Sequence, residues 1–299
     1  MANEVEAREV VAGNETAAKR ENQLLAFFKR LTQRPTAVIG LILFALLILV
    51  AIFATVIAPY DYTAISVREA NLPPSWSHLC GTDQVGRDIF SRLLVGARYS
   101  LTLGILSCAL SGISGIIIGS ISGYFGGVVD EVMMRVCDVI QSVPGMVLNL
   151  AVACVIGVGF WKTILVMGIG GIAGGSRMMR ASILKVREME YIEAASVINC
   201  SNVKIMAKHL IPNAITATLV NITMGVGNSI MQASGLAYLG LGVQPPTPEW
   251  GAMLSDGRNY LTKFPWMCTF PGIAIMITVL AINLFGDGMR DALDPKLKK

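Results

Sequence analysis

The sequence predicts an all-α polytopic membrane protein with six transmembrane helices, and three observations support this class. Hydrophobic residues make up 54% of the 299 residues, and charged residues make up only 15%. Soluble domains usually carry about a quarter of charged residues. The mean hydropathy is +0.61, and the apolar residues are gathered into uncharged runs close to the roughly 20 residues that a helix needs to cross a bilayer.

Six such runs follow one another along the chain. They lie at about 37–58, 100–124, 139–160, 163–179, 210–235 and 266–286. The fourth run is the weakest because Arg177 interrupts it, and its stretch GIGGIAGG could instead form a re-entrant segment. We interpret it as a span, since small residues allow helices to pack closely within lipid.

The first residues differ in character from the spans. Residues 1–22 are polar and predict a mobile tail. After them, apolar residues recur at helical spacing opposite a cationic face, which predicts an interfacial helix lying on the membrane. The apolar side chains are Leu24, Leu25, Phe27, Phe28 and Leu31, and the cations are Lys29, Arg30 and Arg34.

Cysteine and histidine usage argues against a metal centre. The six cysteines are scattered without a C-x-x-C pair, and His78 and His209 are the only histidines. We therefore expect free thiols and neither a metal site nor a disulfide framework. The net charge of +4 is not gathered into one basic stripe, so nothing in the composition favours nucleic-acid binding.

Lysine and arginine predict the orientation. They cluster before the first span, between the fourth and fifth spans, and at the end of the chain. Six spans place all three clusters on one side, which predicts that both termini are cytoplasmic. All four tryptophans then fall at or beyond the outer face, where indole rings favour the interface. Arg87, Arg92 and Arg98 are an exception in the outer connection 59–99, which we expect to fold as a small element of its own.

The spans hold almost no ionisable residue, although ion-coupled carriers usually need one to bind the coupling ion. The chain also lacks the G-x-x-x-x-G-K-[ST] phosphate loop. An energy source on a partner subunit is therefore expected, and no cofactor is predicted.

The connection between the fourth and fifth spans is too long for a turn and too polar for lipid. Its apolar spacing predicts two short helices with a bend at Asn199 to Ser201. Ser201 is the expected N-cap of the second helix, and Pro212 is expected to break the segment before the next span. The alternative is an ordinary amphipathic loop on the bilayer surface.

This connection resembles the EAA loop of permease subunits of binding-protein-dependent ABC importers. The match consists of Glu193, Ala194 and Ala195, of Asn199 where that family usually has glycine, and of the ending from His209 through Pro212 to Asn213. That ending is similar to the dipeptide, oligopeptide and nickel branch. Three further segments resemble the C-type permease of the same branch, so the resemblance covers about residues 22–295. They are GTDQVGRDIFSRLLVGARYSL, LGLGVQPPTPEWGAML and GDGMRDALDP.

The resemblance implies a MetI-like permease fold, alternating access and four kinds of partner. They are a homologous second permease, two ATPase subunits, an extracytoplasmic binding protein and the lipid of a bacterial or archaeal plasma membrane. It also implies that the EAA loop docks on the ATPase. The first candidate for that contact is Glu193, whose charge could pair with a partner arginine or backbone N–H, beside small Ala194 and Ala195 that permit close approach.

The remaining motifs indicate structural roles or a path for the solute. Asp83 or Asp88 could cap a helix, and Arg87 could pair with either. The proline-rich VQPPTPEWG, which includes Trp250, suits a rigid outer loop able to meet a binding protein. Asn221, Asn228 and Gln232 recur at near-helical spacing and could line a translocation path, although hydrogen bonding between helices is the open alternative.

We therefore expect four regions. Residues 1–35 form a cytoplasmic tail and interfacial helix, 36–99 the first span and outer loop, 100–287 the permease core with a coupling loop at about 186–213, and 288–299 a cytoplasmic tail. The function implied is import of peptides or related small solutes. A permease for nickel or another solute and, more remotely, an ion-coupled carrier remain alternatives.

Overall fold

The computed structural model describes residues 31, 32 and 34–293. In this part of the chain the regular secondary structure is helical, and the one β-type pairing is an isolated bridge between Thr82 and Asp88. The predicted all-α class is confirmed. The predicted tail, most of the predicted interfacial helix and residues 294–299 lie outside the described residues.

Ten α-helices follow one another in the described chain. Short 3₁₀ turns lie at Val67–Glu69 and Arg258–Tyr260, and one π-helical turn lies at Met206–Leu210. The helices are α1 Pro35–Ile57, α2 Ile89–Phe125, α3 Gly127–Ser142, α4 Gly145–Ile156, α5 Phe160–Arg187, α6 Glu190–Val197, α7 Asn202–Ile205, α8 Ile211–Tyr238, α9 Trp250–Gly257 and α10 Trp266–Leu293.

Four helices are long and apolar enough to cross a membrane. They are α1, α2, α10 and the continuous helix Asn202–Tyr238, and the bent pair α3 and α4 supplies a fifth if it counts as one span. The predicted fourth span lies in α5, which has 28 residues but is less apolar because it carries Lys162, Arg177 and further cations near its end. Six helical segments therefore correspond to the six predicted spans.

Two predicted boundaries were wrong. The third span, expected over 139–160, is broken after Ser142, and α3 meets α4 at 93°. Pro144 has no N–H for a helical bond, and Val143 before it is extended, as a residue preceding proline prefers. The helix that contains the second predicted span begins at Ile89, before the predicted limit at Ser100, because Arg92 and Arg98 find hydrogen-bond acceptors in the protein.

Small residues bring α2 and α5 into close contact, as the glycine-rich stretch predicted. A Cβ built on Gly115 would lie 2.7 Å from the carbonyl carbon of Gly175, and one on Gly119 would lie 2.3 Å from the carbonyl oxygen of Ser176. This backbone approach forms the centre of the bundle. Around it, α1 packs against α10 and α2, and α8 packs against α2, α5 and α10.

The outer connection folds on itself before α2, as expected. The side chain of Asp88 caps α2 by accepting from the Ser91 N–H at 2.7 Å. Arg87 Nε donates to Asp83 Oδ2 at 2.6 Å. Arg98 donates to the carbonyls of Ala51 and Ile52 at 3.0 and 2.9 Å, near the end of α1. These bonds account for the cations at this end of the bundle.

One tryptophan does not belong to an interfacial belt. Trp250 is buried, and its indole N–H donates to the Leu93 carbonyl at 3.0 Å. Its large ring fills the core between α2 and α9 instead of facing the membrane interface. Trp76, in contrast, is 98% exposed.

Cationic ends of several helices lie together at the opposite end of the bundle. Arg34, before α1, pairs with Asp291 of α10 at 3.5 Å. Arg187, at the end of α5, donates to the Gly123 carbonyl of α2 at 3.2 Å. Lys185 and Arg290 line one cavity. The described residues of the three cationic clusters therefore share one end.

Candidate functional site

The connection between α5 and α8 is mounted on a buried apolar base. Ile192 and Ala195 of α6 and Ile205 of α7 pack with Met179 and Ile183 of α5 in one cluster. A polar contact adds to this base, because the Tyr124 hydroxyl donates to Asn202 Oδ1 at 2.8 Å. The first predicted short helix is therefore present as α6, the second is the beginning of the longer helix Asn202–Tyr238, and the connection is fixed to the ends of α2 and α5.

Asn199 forms the bend between α6 and α7 in a left-handed conformation, with φ of +59°. The Asn199 N–H donates to the Ser196 carbonyl at 3.0 Å, and the Cys200 N–H donates to the Ala195 carbonyl at 3.2 Å. This pair of bonds is the Schellman motif that often ends a helix, usually with glycine at the left-handed position. Asparagine is the common replacement because it tolerates this region better than other side chains. The predicted bend is confirmed, and Asn199 forms it by adopting the left-handed conformation.

The far side of the bend differs from expectation. Ser201 occupies the N-cap position of α7, but its side chain makes no capping hydrogen bond. Pro212 does not break the segment, and the helix runs without interruption from Asn202 to Tyr238. The π turn at Met206–Leu210 directly precedes the proline, and the Ile211 N–H reaches back to the Met206 carbonyl. This wider turn accommodates a residue that has no N–H of its own.

The residues at the end of the motif support this turn. Asn213 Nδ2 donates to the His209 carbonyl oxygen at 2.6 Å. His209 is half-buried, whereas Pro212 and Asn213 are exposed. The structure therefore places His209, Pro212 and Asn213 at the junction of the connection with α8.

The tip of the connection presents apolar side chains away from the protein. Val197, Ile198 and Val203 are 79%, 74% and 75% exposed. Glu193 and Ala194 are also exposed. Ala195 does not join them, contrary to expectation, because it lies on the inward face of α6 three residues after Ile192 and is buried. We call Glu193, Ala194, Val197, Ile198 and Val203 the tip surface.

A polar groove runs between α2, α5 and α8. Its volume is about 420 Å³, and Asn221, Asn228 and Gln232 all line it. The predicted common face of α8 is therefore real. On the opposite wall lie Gly170, Gly171, Gly174 and Gly175, four of the five glycines of the stretch 168–175. Their missing side chains leave the space open.

The three carboxamides are held differently. Asn221 Nδ2 contacts Met178 Sδ. Gln232 Oε1 accepts from Asn149 Nδ2 of α4 at 3.1 Å, so the alternative of interhelix bonding applies to this residue. The side chain of Asn228 has no hydrogen-bond partner among the described residues. Sequence reasoning missed Asn149, although a carboxamide within a largely apolar run was a usable signal.

The outer loop before α9 is built around a buried carboxylate. Glu249 caps α9 by accepting from the Gly251 and Ala252 N–H groups, both at 2.9 Å, and it also accepts from Ser100 Oγ at 3.0 Å. Burial raises the pKa of this carboxyl, and the three hydrogen bonds oppose that shift. These contacts fix the proline-rich segment to α2. Among the described residues, no group of three or more His, Cys, Asp or Glu could hold a metal ion.

The chain belongs to a family of transport permeases. Residues 115–299 match the family described as binding-protein-dependent transport system inner membrane component. Residues 22–74 match the N-terminal TM domain of oligopeptide transport permease C. The first match covers more than half of the chain, including α5, the connection and α8, and the protein is accordingly a multi-pass membrane permease subunit.

Two characterised relatives resemble it along most of their length. The oligopeptide transport system permease protein OppC of Bacillus subtilis (strain 168) is 41% identical over 270 residues, which are 90% of this chain and 88% of the relative. The glutathione transport system permease protein GsiD of Escherichia coli O6:K15:H31 is 42% identical over 273 residues, which are 91% of this chain and 90% of the relative.

Solved structures share the fold. An inward-facing MetNI methionine ABC transporter chain matches with a TM-score of 0.54 at 19% identity, over 68% of this chain and 97% of that chain. A chain of an amino acid ABC transporter with histidines matches with a TM-score of 0.50 at 14% identity, over 66% and 92%. These similarities confirm the predicted MetI-like permease fold.

Proposed function

We propose that this chain is one of two homologous permease subunits of an ATP-driven importer of peptides. Two partner ATPases hydrolyse the ATP, an extracytoplasmic binding protein delivers the solute, and the spans alternate between inward-facing and outward-facing states. The observation that carries the proposal is the tip surface, which is apolar, exposed and rigidly mounted. The supported setting is a bacterial or archaeal plasma membrane, with residues 1–35, the coupling loop and residues 288–299 in the cytoplasm.

The tip surface has the composition of a docking site. Val197, Ile198 and Val203 lie in the polar connection, Val203 at the very start of the helix Asn202–Tyr238, so their exposure to water is unfavourable until a partner covers them. Glu193 adds one charge that can pair with a partner arginine or a backbone N–H. Ala194 leaves room for close approach. The left-handed turn at Asn199 sets the angle between the two helices, and His209, Pro212 and Asn213 join the loop to α8.

Peptides are the solute class that the comparisons favour. The relatives named above are permeases for oligopeptides and for glutathione, which is itself a short peptide. Asn221, Asn228 and Gln232 would line the path, since carboxamides can both donate to and accept from the main-chain groups of a peptide.

The coupling role can be tested with two matched valines. Val197 of the tip surface and Val67 of the outer connection are both 79% exposed. A buried, unpaired carboxylate in a protein interface is strongly unfavourable. We therefore expect Val197→Asp to lose co-purifying ATPase subunits and transport, whereas Val67→Asp should keep both.

The measurement is the yield of ATPase subunits bound to the tagged permease complex, together with ATP turnover stimulated by the binding protein. Equal retention of ATPase in both variants would contradict docking at the tip surface. The permease subunit purified alone should show no ATP turnover, and turnover that survives complete removal of the ATPases would contradict the division of labour.

A further inference from the structure

The groove between α2, α5 and α8 is polar but uncharged. Its described lining consists of carboxamide, hydroxyl, sulfur-containing, glycine and isoleucine side chains, and none of the lining residues is charged. The cavity nearer the connection is different, since Lys185 and Arg290 contribute to its wall. A solute therefore meets neutral hydrogen-bonding groups in the groove and cations only towards the loop end.

Gln232 is the carboxamide of the groove that the protein holds in place. Its Oε1 accepts from Asn149 Nδ2 at 3.1 Å. Its Nε2 has no hydrogen-bond partner among the described residues, and the side chain is exposed to the groove. Two N–H donors are therefore available to a carbonyl or carboxylate oxygen.

Asn149 donates to Gln232 through Nδ2, which also lies 3.9 Å from Met167 Sδ. Asn149 is buried, at 4% exposure, and its Oδ1 has no donor among the described residues. Gly170 makes room for it, because a Cβ there would lie 2.3 Å from Asn149 Oδ1. A buried acceptor without a partner is unfavourable, and within a span it is a mark of function. The Asn149 side chain therefore orients Gln232 through Nδ2, while its own Oδ1 is left without a hydrogen-bond donor.

Building on the proposed function, we propose that Gln232, positioned by Asn149, determines the charge selectivity of the groove. Its free N–H groups bind main-chain carbonyl oxygens of the passing peptide, and its neutrality lets peptides of either side-chain charge pass. Charges act strongly across a poorly solvated groove. A carboxylate at this position should therefore make a groove that passes peptides of either charge disfavour anionic peptides and favour cationic ones.

Gln232→Glu tests this with little change in shape, because the glutamate keeps an oxygen that accepts from Asn149. The complete complex in proteoliposomes is supplied with binding protein preloaded with alanine tripeptide or with the same peptide carrying a central lysine or glutamate. Uptake of each charged peptide is divided by uptake of the neutral one, and each ratio is divided by its wild-type value, which removes the preference of the binding protein.

In Gln232→Glu we expect the glutamate-peptide ratio to fall about tenfold and the lysine-peptide ratio to rise. The control is Asn259→Asp, which adds the same charge at an exposed position outside the groove and should leave both ratios unchanged. Unchanged ratios in Gln232→Glu, or equal shifts in the control, would overturn the inference. If Gln232→Glu imports nothing, Asn228→Asp, one turn earlier on the same face, must shift the ratios in the same direction or the inference fails.

Failure of the proposed function looks different, because the wild-type complex would then import none of the three peptides. The positioning role of Asn149 is tested with Gly170→Ala, which should lower uptake of all three peptides about fivefold or more by displacing the carboxamide. Gly272→Ala is the control, since its nearest neighbour would be 4.0 Å away. Normal uptake by Gly170→Ala would remove Asn149 from the inference. If uptake falls, Asn149→Ala should lower it little further in the Gly170→Ala background, because the carboxamide is already displaced, and a full additional loss would count against the positioning role.

Discussion

Gly119 of α2 lies directly against the Ser176 carbonyl of α5, with 2.3 Å between that oxygen and a Cβ built on the glycine. Gly119→Ala must therefore push the two helices apart. Overpacking of this kind costs about 1–3 kcal/mol, which exceeds the gain of up to about 1 kcal/mol from replacing glycine by alanine in a helix. We expect a lower midpoint of thermal unfolding for the purified complex. Gly227→Ala, whose nearest neighbour would be 3.5 Å away, should show no such loss, and an equal midpoint in both variants would refute the close-packing argument.

The second prediction concerns Asn199, whose φ is +59°. Asn199→Gly should leave ATPase association and transport close to normal, because glycine enters the left-handed region freely. Asn199→Val should lose coupling, since a β-branched residue there is strained by about 1–2 kcal/mol or more and α6 would overrun the bend. Transport at matched expression decides the matter. If valine works as well as glycine, the backbone conformation is not what the position requires.

The third prediction concerns the orientation in the membrane. Cys80 lies in the outer connection but is buried, and burial followed by the charge of Asp88 raises the pKa of its thiol to about 11. It should therefore resist an impermeant maleimide at pH 7.5 even if the outer connection faces the medium. Trp76→Cys, at a side chain that is 98% exposed, should label in intact spheroplasts.

Cys200, in the connection between α6 and α7, should label only after the membrane is opened. Labelling of Cys200 in intact spheroplasts with protection of Trp76→Cys would reverse the proposed orientation. Cys200 is labelled in a variant lacking the other five native cysteines, and Trp76→Cys in a variant lacking all six, so that each signal reports one position.

The fourth prediction follows from Glu249. Burial raises the pKa of this carboxyl above its ordinary 4.5, so its contribution to stability is complete below that value and decreases as the pH rises through the folded-state pKa. The midpoint of thermal unfolding of the wild type should therefore decrease with rising pH relative to that of Glu249→Gln, because the glutamine has no charge to bury. The glutamine loses the acceptor for the Ala252 N–H, so it should be the less stable protein at acidic pH. Parallel curves for the two proteins would show that Glu249 does not titrate in this way.

The sequence predicted the class and the arrangement of spans because the bilayer imposes a simple rule on composition and length. It also predicted the turn at Asn199, where a local backbone requirement selects a residue type. The break at Val143 and Pro144 was missed because apolar residues continue on both sides of it. The start of α2 was missed because Arg92 and Arg98 looked like loop residues until their partners were known.

Tertiary contacts explain the remaining errors at the candidate site. Nothing in the local pattern distinguishes Trp250, which is enclosed by α2, from an indole at the interface. Asn149 and Gln232 are 83 residues apart in sequence, and only packing brings their side chains together. The inward direction of Ala195 depends on how α6 rests on α5. Such relationships follow from the assembled bundle rather than from any one segment.

The uninterrupted helix from Asn202 to Tyr238 has a mechanical consequence. Val203 at one end and Gln232 in the groove are separated by about 40 Å at 1.5 Å per residue, with no loop between them to absorb movement. A tilt of about 10° about the groove end would displace the tip surface by about 7 Å. Movement of an ATPase against Val203 would thus be transmitted to the carboxamides of the groove by rigid-body tilting of this helix. Bending at the π turn before Pro212 would reduce that transmission.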